Sequence, residues 1–183
     1  MTFKNDYYTI KNCELNWAKL GNPITTQWGT SQWELQIATT DKAVADEWSA
    51  KHLNVKPVLD ADKNPVSPAK YSVNLKRKAV KADNNPNTPV RVVDASKQEL
   101  SPEARSSIGN GSVGDVIIYQ YAYDAMGNKG IANSLTAVRV TDLKEYNAVP
   151  DFEMLLLMEP YRSILSQGGY EGQLFNLEQL VQG

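Results

Sequence analysis

Cationic and aromatic side chains are the residues of this chain whose types and spacing could do chemistry. The cations of the middle segment are Lys70, Lys76, Arg77, Lys78, Lys81 and Arg91, and a later pair of strands adds Lys129 and Arg139. The aromatic residues in comparable segments are Trp28, Trp33, Tyr71, Tyr119, Tyr121 and Tyr123. Cations that follow phosphates and rings that stack on bases are how proteins hold single-stranded nucleic acids. The combination therefore favours a surface that binds a polyanionic strand.

Each part of this set also has a purely structural interpretation. Alternating tyrosines on a strand often pack against neighbours in a sheet, and Trp33 in an alternating strand suits a core position. Lysines on an edge strand deter pairing with another chain. The sequence leaves both interpretations open, and only the combination of the two residue types favours binding.

The formal net charge of −2 conceals a division of charge along the chain. Residues 70–91 carry six basic residues against Asp83, a net +5, whereas residues 145–183 carry six acidic residues against Arg162, a net −5. A basic middle and an acidic end predict that the middle meets a polyanion and that the end meets another partner or shields the middle.

Catalytic chemistry has few candidates. His52 is the only histidine, predicted on the apolar side of a helix that starts near Asp41, and Cys13 is the only cysteine, predicted as a buried thiol. Neither a phosphate-binding loop nor a dinucleotide fingerprint is present, and one cysteine and one histidine are too few for a zinc site. We expect no enzyme, no catalytic residue, no cofactor and no metal. A nuclease that uses loop carboxylates and a divalent ion is the enzymatic alternative.

Hydrophobic periodicity predicts a mainly β protein with one clear helix. The predicted strands are 7–17, 31–39, 71–78, 90–94, 115–123 and 131–146; the helix spans about 40–52, and the predicted loops include 20–30, 54–69 and a hairpin at 126–130. Ser101 and Pro102 predict a single helical turn. So few helices exclude alternating βαβ units and favour a small barrel or sandwich. We expect one domain over residues 1–149, followed by a short helix and a tail over 150–183.

Several of these segments resemble bacteriophage single-stranded-DNA-binding proteins. The resemblance is carried by Ile-Gly-Asn-Gly-Ser at 108–112, Gly-Asn-Lys-Gly-Ile at 127–131 and Leu-Thr-Ala-Val-Arg-Val at 135–140, with weaker likeness at Ile10–Asn12, Leu15–Trp17 and 71–78. It implies a five-stranded barrel of the oligonucleotide-binding (OB) fold. It also implies a non-enzymatic protein that coats single-stranded DNA without sequence preference in replication, recombination and annealing, in the cytoplasm of the infected bacterial host.

The resemblance further implies a role for the acidic end of the chain. In such proteins an acidic C-terminal tail contacts the phage DNA polymerase or helicase and competes with DNA; the matching residues are Glu171, Phe175 and Glu178. The acidic residues are spread out and no terminal aromatic residue follows, which departs from the family pattern. Formation of a homodimer stays open. The alternative function is a β-rich virion structural or assembly protein without a nucleic-acid role, and no run of about 20 apolar residues suggests a membrane span.

Overall fold

The computed structural model of the protein describes residues 2–146, which are mostly β-strand. In chain order the elements are β1 Asp6–Thr25, β2 Ser31–Thr39, α1 Lys42–Ala50, β3 Lys56–Pro57, β4 Tyr71–Lys78, β5 Arg91–Val93, α2 Pro102–Ser106, β6 Ser112–Ala125 and β7 Asn128–Asp142. The predicted short helix after Pro150 and the tail residues Glu171, Phe175 and Glu178 lie outside the described residues. Within residues 2–146, no helix has the length and apolar character needed to cross a membrane.

Five of the strands close into a barrel. β1 pairs antiparallel with β2 and with β6, β2 pairs with β4, and β6 pairs with β7. The ring closes where Lys76 of β4 pairs in parallel with Ser134 of β7. A closed five-stranded barrel with two short helices fits the OB-fold, so the fold class predicted from the sequence is confirmed.

The barrel interior is filled by the apolar residues of the alternating strands. The largest fully buried side chains include Leu15, Leu20, Leu35, Ile37, Val116, Ile118, Leu135 and Val138. Trp33 is 5% exposed and its indole N–H donates to the carbonyl of Gly21 at 3.3 Å, so the ring belongs to this core. Cys13 is buried as predicted, and burial raises the pKa of its thiol to about 12. The thiol is therefore protonated at neutral pH.

Helix α1 begins where the sequence predicts and ends earlier. The Asp41 carboxylate accepts a hydrogen bond from the N–H of Ala43 at 2.9 Å and caps the helix. The helix stops at Ala50, and His52 follows it with a φ of 65°, exposed to solvent, with its ring 5.4 Å from that of Phe3. The prediction that His52 lies on the apolar face of the helix is wrong, because the helix ends before reaching it.

Strand β1 continues through the segment predicted as a loop. It extends to Thr25, and Ile24 pairs with Gln32 of β2. The register of its pairing shifts at three points, and the first two are bulges that contain a residue with a positive φ, Asn12 at 52° and Trp17 at 51°. Bulges bend a strand and increase its twist. The bent β1 can therefore pair with β6 along its first half and with β2 along its second half.

A buried carboxylate holds the first bulge. Asp115 of β6 is 8% exposed; its carboxylate accepts from the N–H of Asn12 at 3.0 Å and from Nε of Arg139 at 3.0 Å. Burial acts to raise the pKa of Asp115, but the Asn12 N–H and the Arg139 guanidinium outweigh it and hold that pKa below its usual 3.8. The charged carboxylate thus joins β1, β6 and β7.

The Asp115 cluster predicts a pH-dependent stability difference. Because the folded pKa lies below the unfolded one, the ionised carboxylate stabilises the fold above about pH 4, and this contribution is lost as the pH falls through the folded pKa. Asp115→Asn should lower the free energy of unfolding by about 1–3 kcal/mol at pH 7. Urea unfolding of the wild type and of Asp115→Asn from pH 7 to pH 3 should show that the difference between their free energies of unfolding becomes smaller below about pH 4. A gap that stays constant across that range contradicts the assignment.

Candidate nucleic-acid interface

One face of the barrel carries an open groove of about 1200 Å³. Its floor is formed by the outward-facing side chains of β2 and β4, which alternate with the core residues of the same strands. These side chains are Glu34, Gln36, Asn74, Lys76 and Lys78. The loop after β4 and the hairpin of β6 and β7 form its sides, so the barrel strands position every part of the groove.

The basic part of the groove lies on β4 and the loop that follows it. Lys76, Lys78 and Lys81 are exposed and line the groove together. None of the ion pairs found among residues 2–146 includes any of these three lysines. Glu34 is the only acidic residue among the described lining residues, which leaves the groove with a net positive charge.

Two of the three predicted tyrosines reach the groove from the hairpin. Tyr121 and Tyr123 line it and are 38% and 43% exposed. A Cβ added to Gly130, which pairs with Tyr123, would come within 2.6 Å of the tyrosine oxygen, so this ring lies over the glycine. Tyr119 is half-buried, 5.0 Å from the ring of Tyr7 and 6.1 Å from that of Tyr121, and is outside the lining.

Trp17, at the second bulge of β1, is an aromatic lining residue that the sequence analysis missed. Its backbone N–H donates to Oδ1 of Asn110 at 2.8 Å, and in return Oδ1 of Asn16 accepts from the N–H of Gly111 at 2.9 Å. The Gly-Asn-Gly turn before β6 therefore holds the bulge in place through two hydrogen bonds. An alternating strand pattern does not indicate where a bulge will occur. The only sequence feature that relates to this bulge is the Gly-Asn-Gly turn at residues 109–111, which lies far from Trp17 in the sequence.

Amide side chains make up much of the remaining polar lining. Nε2 of Gln36 donates to Oδ1 of Asn74 at 3.2 Å across the β2–β4 pair. Asn133 accepts from Gln120 at 2.7 Å and donates to the carbonyl of His52 at 3.0 Å. Sequence reasoning missed these amides because asparagine and glutamine are common on any surface. Side chains of this kind offer donors and acceptors without charge.

Three predicted residues of the basic strand and its neighbours have other partners. Lys70 forms an ion pair with Glu14 at 2.7 Å. Tyr71 is half-buried, with the amino group of Lys42 5.7 Å from its ring centre. The guanidinium of Arg77 donates to groups on the following loop and on β7, namely the Thr88 carbonyl at 2.7 Å, Thr88 Oγ1 at 2.6 Å, Asn87 Oδ1 at 3.0 Å and Ser134 Oγ at 3.3 Å. None of the three lies in the groove lining.

The remaining predicted residues lie elsewhere on the barrel. Trp33 is in the core and offers no ring face to a ligand. Trp28 is 83% exposed at the tip of the β1–β2 turn, and Lys129 lies at the hairpin, 3.9 Å from Asp124. Arg139 contacts Asp115 and lines a separate cavity of about 310 Å³. The groove therefore brings together five of the predicted residues: Lys76, Lys78, Lys81, Tyr121 and Tyr123.

The groove suits non-covalent binding. Its lysines can neutralise phosphates, its exposed rings can stack on flat groups, and its amides can hydrogen-bond to polar edges. Among residues 2–146, no group of three or more histidine, cysteine, aspartate or glutamate side chains is arranged to hold a metal ion.

Comparison with known proteins gives matches among solved structures alone. No family model matches the chain, and no curated protein matches it. The single-stranded DNA-binding protein from bacteriophage Enc34, solved in complex with single-stranded DNA, superposes with a TM-score of 0.57 at 14% identity, over 77% of this chain and 89% of that one. A C-terminal truncation of the same protein gives a TM-score of 0.53 at 14% identity, over 77% and 88%.

A second phage protein has the same architecture. The single-stranded DNA-binding protein gp2.5 of bacteriophage T7 superposes with a TM-score of 0.50 at 13% identity, over 81% of this chain and 92% of that one. At such low identity these likenesses establish the fold. The resemblance to phage single-stranded-DNA-binding proteins noted from the sequence is thus confirmed at the level of the fold.

Proposed function

We propose that the protein binds single-stranded DNA with little sequence preference in the groove over β2 and β4. The observation that carries this proposal is the placement of Lys76, Lys78 and Lys81 in the same groove as Tyr121 and Tyr123. Neither residue type alone would carry it, since each has a structural explanation. Together, on one open surface, they supply both interactions that a single strand requires.

The arrangement favours a single strand over a duplex. In a duplex the base faces are stacked on each other, so rings such as Tyr121 and Tyr123 would have nothing to stack on. In a single strand the bases can turn toward the tyrosines while the phosphates follow the lysines. Every base has a flat face, so stacking of this kind tolerates any sequence.

The position of the groove in the fold also supports the proposal. OB-folds bind oligonucleotides and oligosaccharides on the face of their second and third strands, between the loops that join strands one to two and four to five. In this barrel those strands are β2 and β4. This support is by analogy of fold, and the argument for function rests on the residues of the site.

At the level of biological role, we infer that the protein coats transient single strands during replication, recombination and annealing in the cytoplasm of an infected bacterial host. A groove whose three lysines form no ion pair within residues 2–146 suits reversible coating, and one compared protein of the same fold was solved with single-stranded DNA. Contact of Glu171, Phe175 and Glu178 with a phage DNA polymerase or helicase, and formation of a homodimer, stay predictions. The comparisons give no support to the virion assembly alternative.

Titration of labelled oligo-dT at several salt concentrations tests the proposal. Each neutralised phosphate on a single strand contributes about −0.7 to the slope of log K against log salt, so three lysines predict a slope of about −2. Binding should be tight at low salt and much weaker to a duplex of the same length. No binding at low salt, or equal affinity for the duplex, contradicts the proposal.

Replacing two groove lysines should weaken binding and reduce its salt dependence. Lys76→Ala with Lys78→Ala removes two phosphate contacts, so the slope should become less negative by about 1.4. The matched control is Lys56→Ala with Lys63→Asn, which removes the same charge from exposed lysines outside the groove; asparagine tolerates the positive φ of residue 63. An unchanged slope in the groove variant, or an equal change in the control, would place the phosphate contacts elsewhere.

Removing a hairpin ring should weaken binding without altering its salt dependence. Tyr121→Ala deletes one stacking surface, worth about 1–3 kcal/mol per base, while leaving every lysine in place. Oligo-dT affinity and the salt slope are measured alongside the melting temperature. A lower melting temperature with unchanged affinity would mean that Tyr121 serves sheet packing alone.

A further inference from the structure

We propose that Trp17 stacks on a base of the bound strand at the β1 side of the groove, across β2 and β4 from Tyr121 and Tyr123, and that Asn110 is its positioning residue. This inference rests on the proposed function and adds a second point of base contact. Neither residue is among the DNA-binding residues predicted from the sequence.

The Trp17 side chain points away from the core. Cys13 and Leu15 precede it at two-residue spacing and are both buried, so a regular strand would direct Trp17 into the core as well. The bulge reverses this direction, and Trp17 is instead 63% exposed and lines the groove. The fold therefore turns outward a large apolar ring that its strand position would bury.

A strained backbone conformation at Trp17 accompanies this exposure. A φ of 51° is unfavourable for a residue as bulky as tryptophan, and such conformations persist where the surroundings hold them and tend to occur at binding sites. Here the holding contact is specific, because the Asn110 side chain accepts the Trp17 N–H at 2.8 Å across 93 residues of chain. The reciprocal bond from Gly111 to Asn16 fixes the same bulge from the other side.

The groove between Trp17 and the two tyrosines carries lysines. On the groove side of the barrel β2 and β4 lie between β1 and β7, and neighbouring strands lie about 4.8 Å apart. Trp17 and the tyrosines are thus separated by roughly 10 Å or more, with Lys76 and Lys78 on the strands between them. A strand that crosses β2 and β4 would place bases on aromatic rings at both sides and phosphates beside the lysines in the middle.

Affinity measurements on the full chain test the role of the Trp17 ring. Trp17→Ala should bind oligo-dT about 5- to 150-fold more weakly, the equivalent of one stacked base, with an unchanged salt slope and melting temperature. Leu59→Ala, which removes an exposed apolar side chain outside the groove, should bind like wild type. Unchanged affinity of Trp17→Ala, while wild type binds, overturns the inference and leaves the proposed function standing.

Tryptophan fluorescence gives an independent readout. Trp33 and Trp48 are buried, so Trp17 and Trp28 are the two exposed reporters. Oligo-dT should quench wild-type emission, quenching should be largely lost in Trp17→Phe, and it should persist in Trp28→Phe. Loss in Trp28→Phe with retention in Trp17→Phe overturns the inference. If wild type itself neither binds nor is quenched, the proposed function fails and the inference fails with it.

A double-mutant cycle separates positioning from general stability. Asn110→Ala should weaken binding in the wild-type background and have little further effect in the Trp17→Ala background, because it acts through that ring. A residue with a merely structural role would weaken binding equally in both backgrounds, and that outcome overturns the assignment of Asn110.

Discussion

The barrel depends on β1, which pairs with β6 along its first half and with β2 along its second. A straight strand could not follow both partners, and the bulges in β1 supply the bend. The two bulges with positive φ are held by side chains 103 and 93 residues further along the chain: Asp115 accepts the N–H of Asn12, and Asn110 accepts the N–H of Trp17. Two long-range hydrogen bonds thus fix the geometry on which closure of the barrel depends.

The groove follows from the same geometry. Closure between Lys76 and Ser134 brings β4 beside the start of β7, so the outward lysines of β4 and the tyrosines of the hairpin border one surface. Arg77, next to Lys76, points the other way and ties the following loop to β7 through Thr88 and Ser134. Lys76 and Arg77 are adjacent in the sequence but differ in role: Lys76 is exposed in the groove, whereas Arg77 stabilises the barrel.

Local patterns in the sequence predicted much of this fold. Alternation marked β2 and β4, Asp41 marked the start of α1, and the glycines around residue 127 marked the hairpin. The features that were wrong or missed depend on distant partners. The continuation of β1 past Gly21, the ion pair of Lys70 and the outward turn of Trp17 each require a contact from elsewhere in the chain. Residue type and spacing along the sequence do not indicate such long-range contacts.

The groove over β2 and β4 is the face proposed to bind DNA. Photocrosslinking to an oligo-dT that carries 5-iododeoxyuridine, followed by mapping of the modified peptides, tests it most directly, since aromatic side chains stacked on the base react preferentially. Crosslinks are expected at Tyr121, Tyr123 and Trp17. Crosslinks confined to the cavity lined by Arg91 and Arg139, with none in the groove, would contradict it.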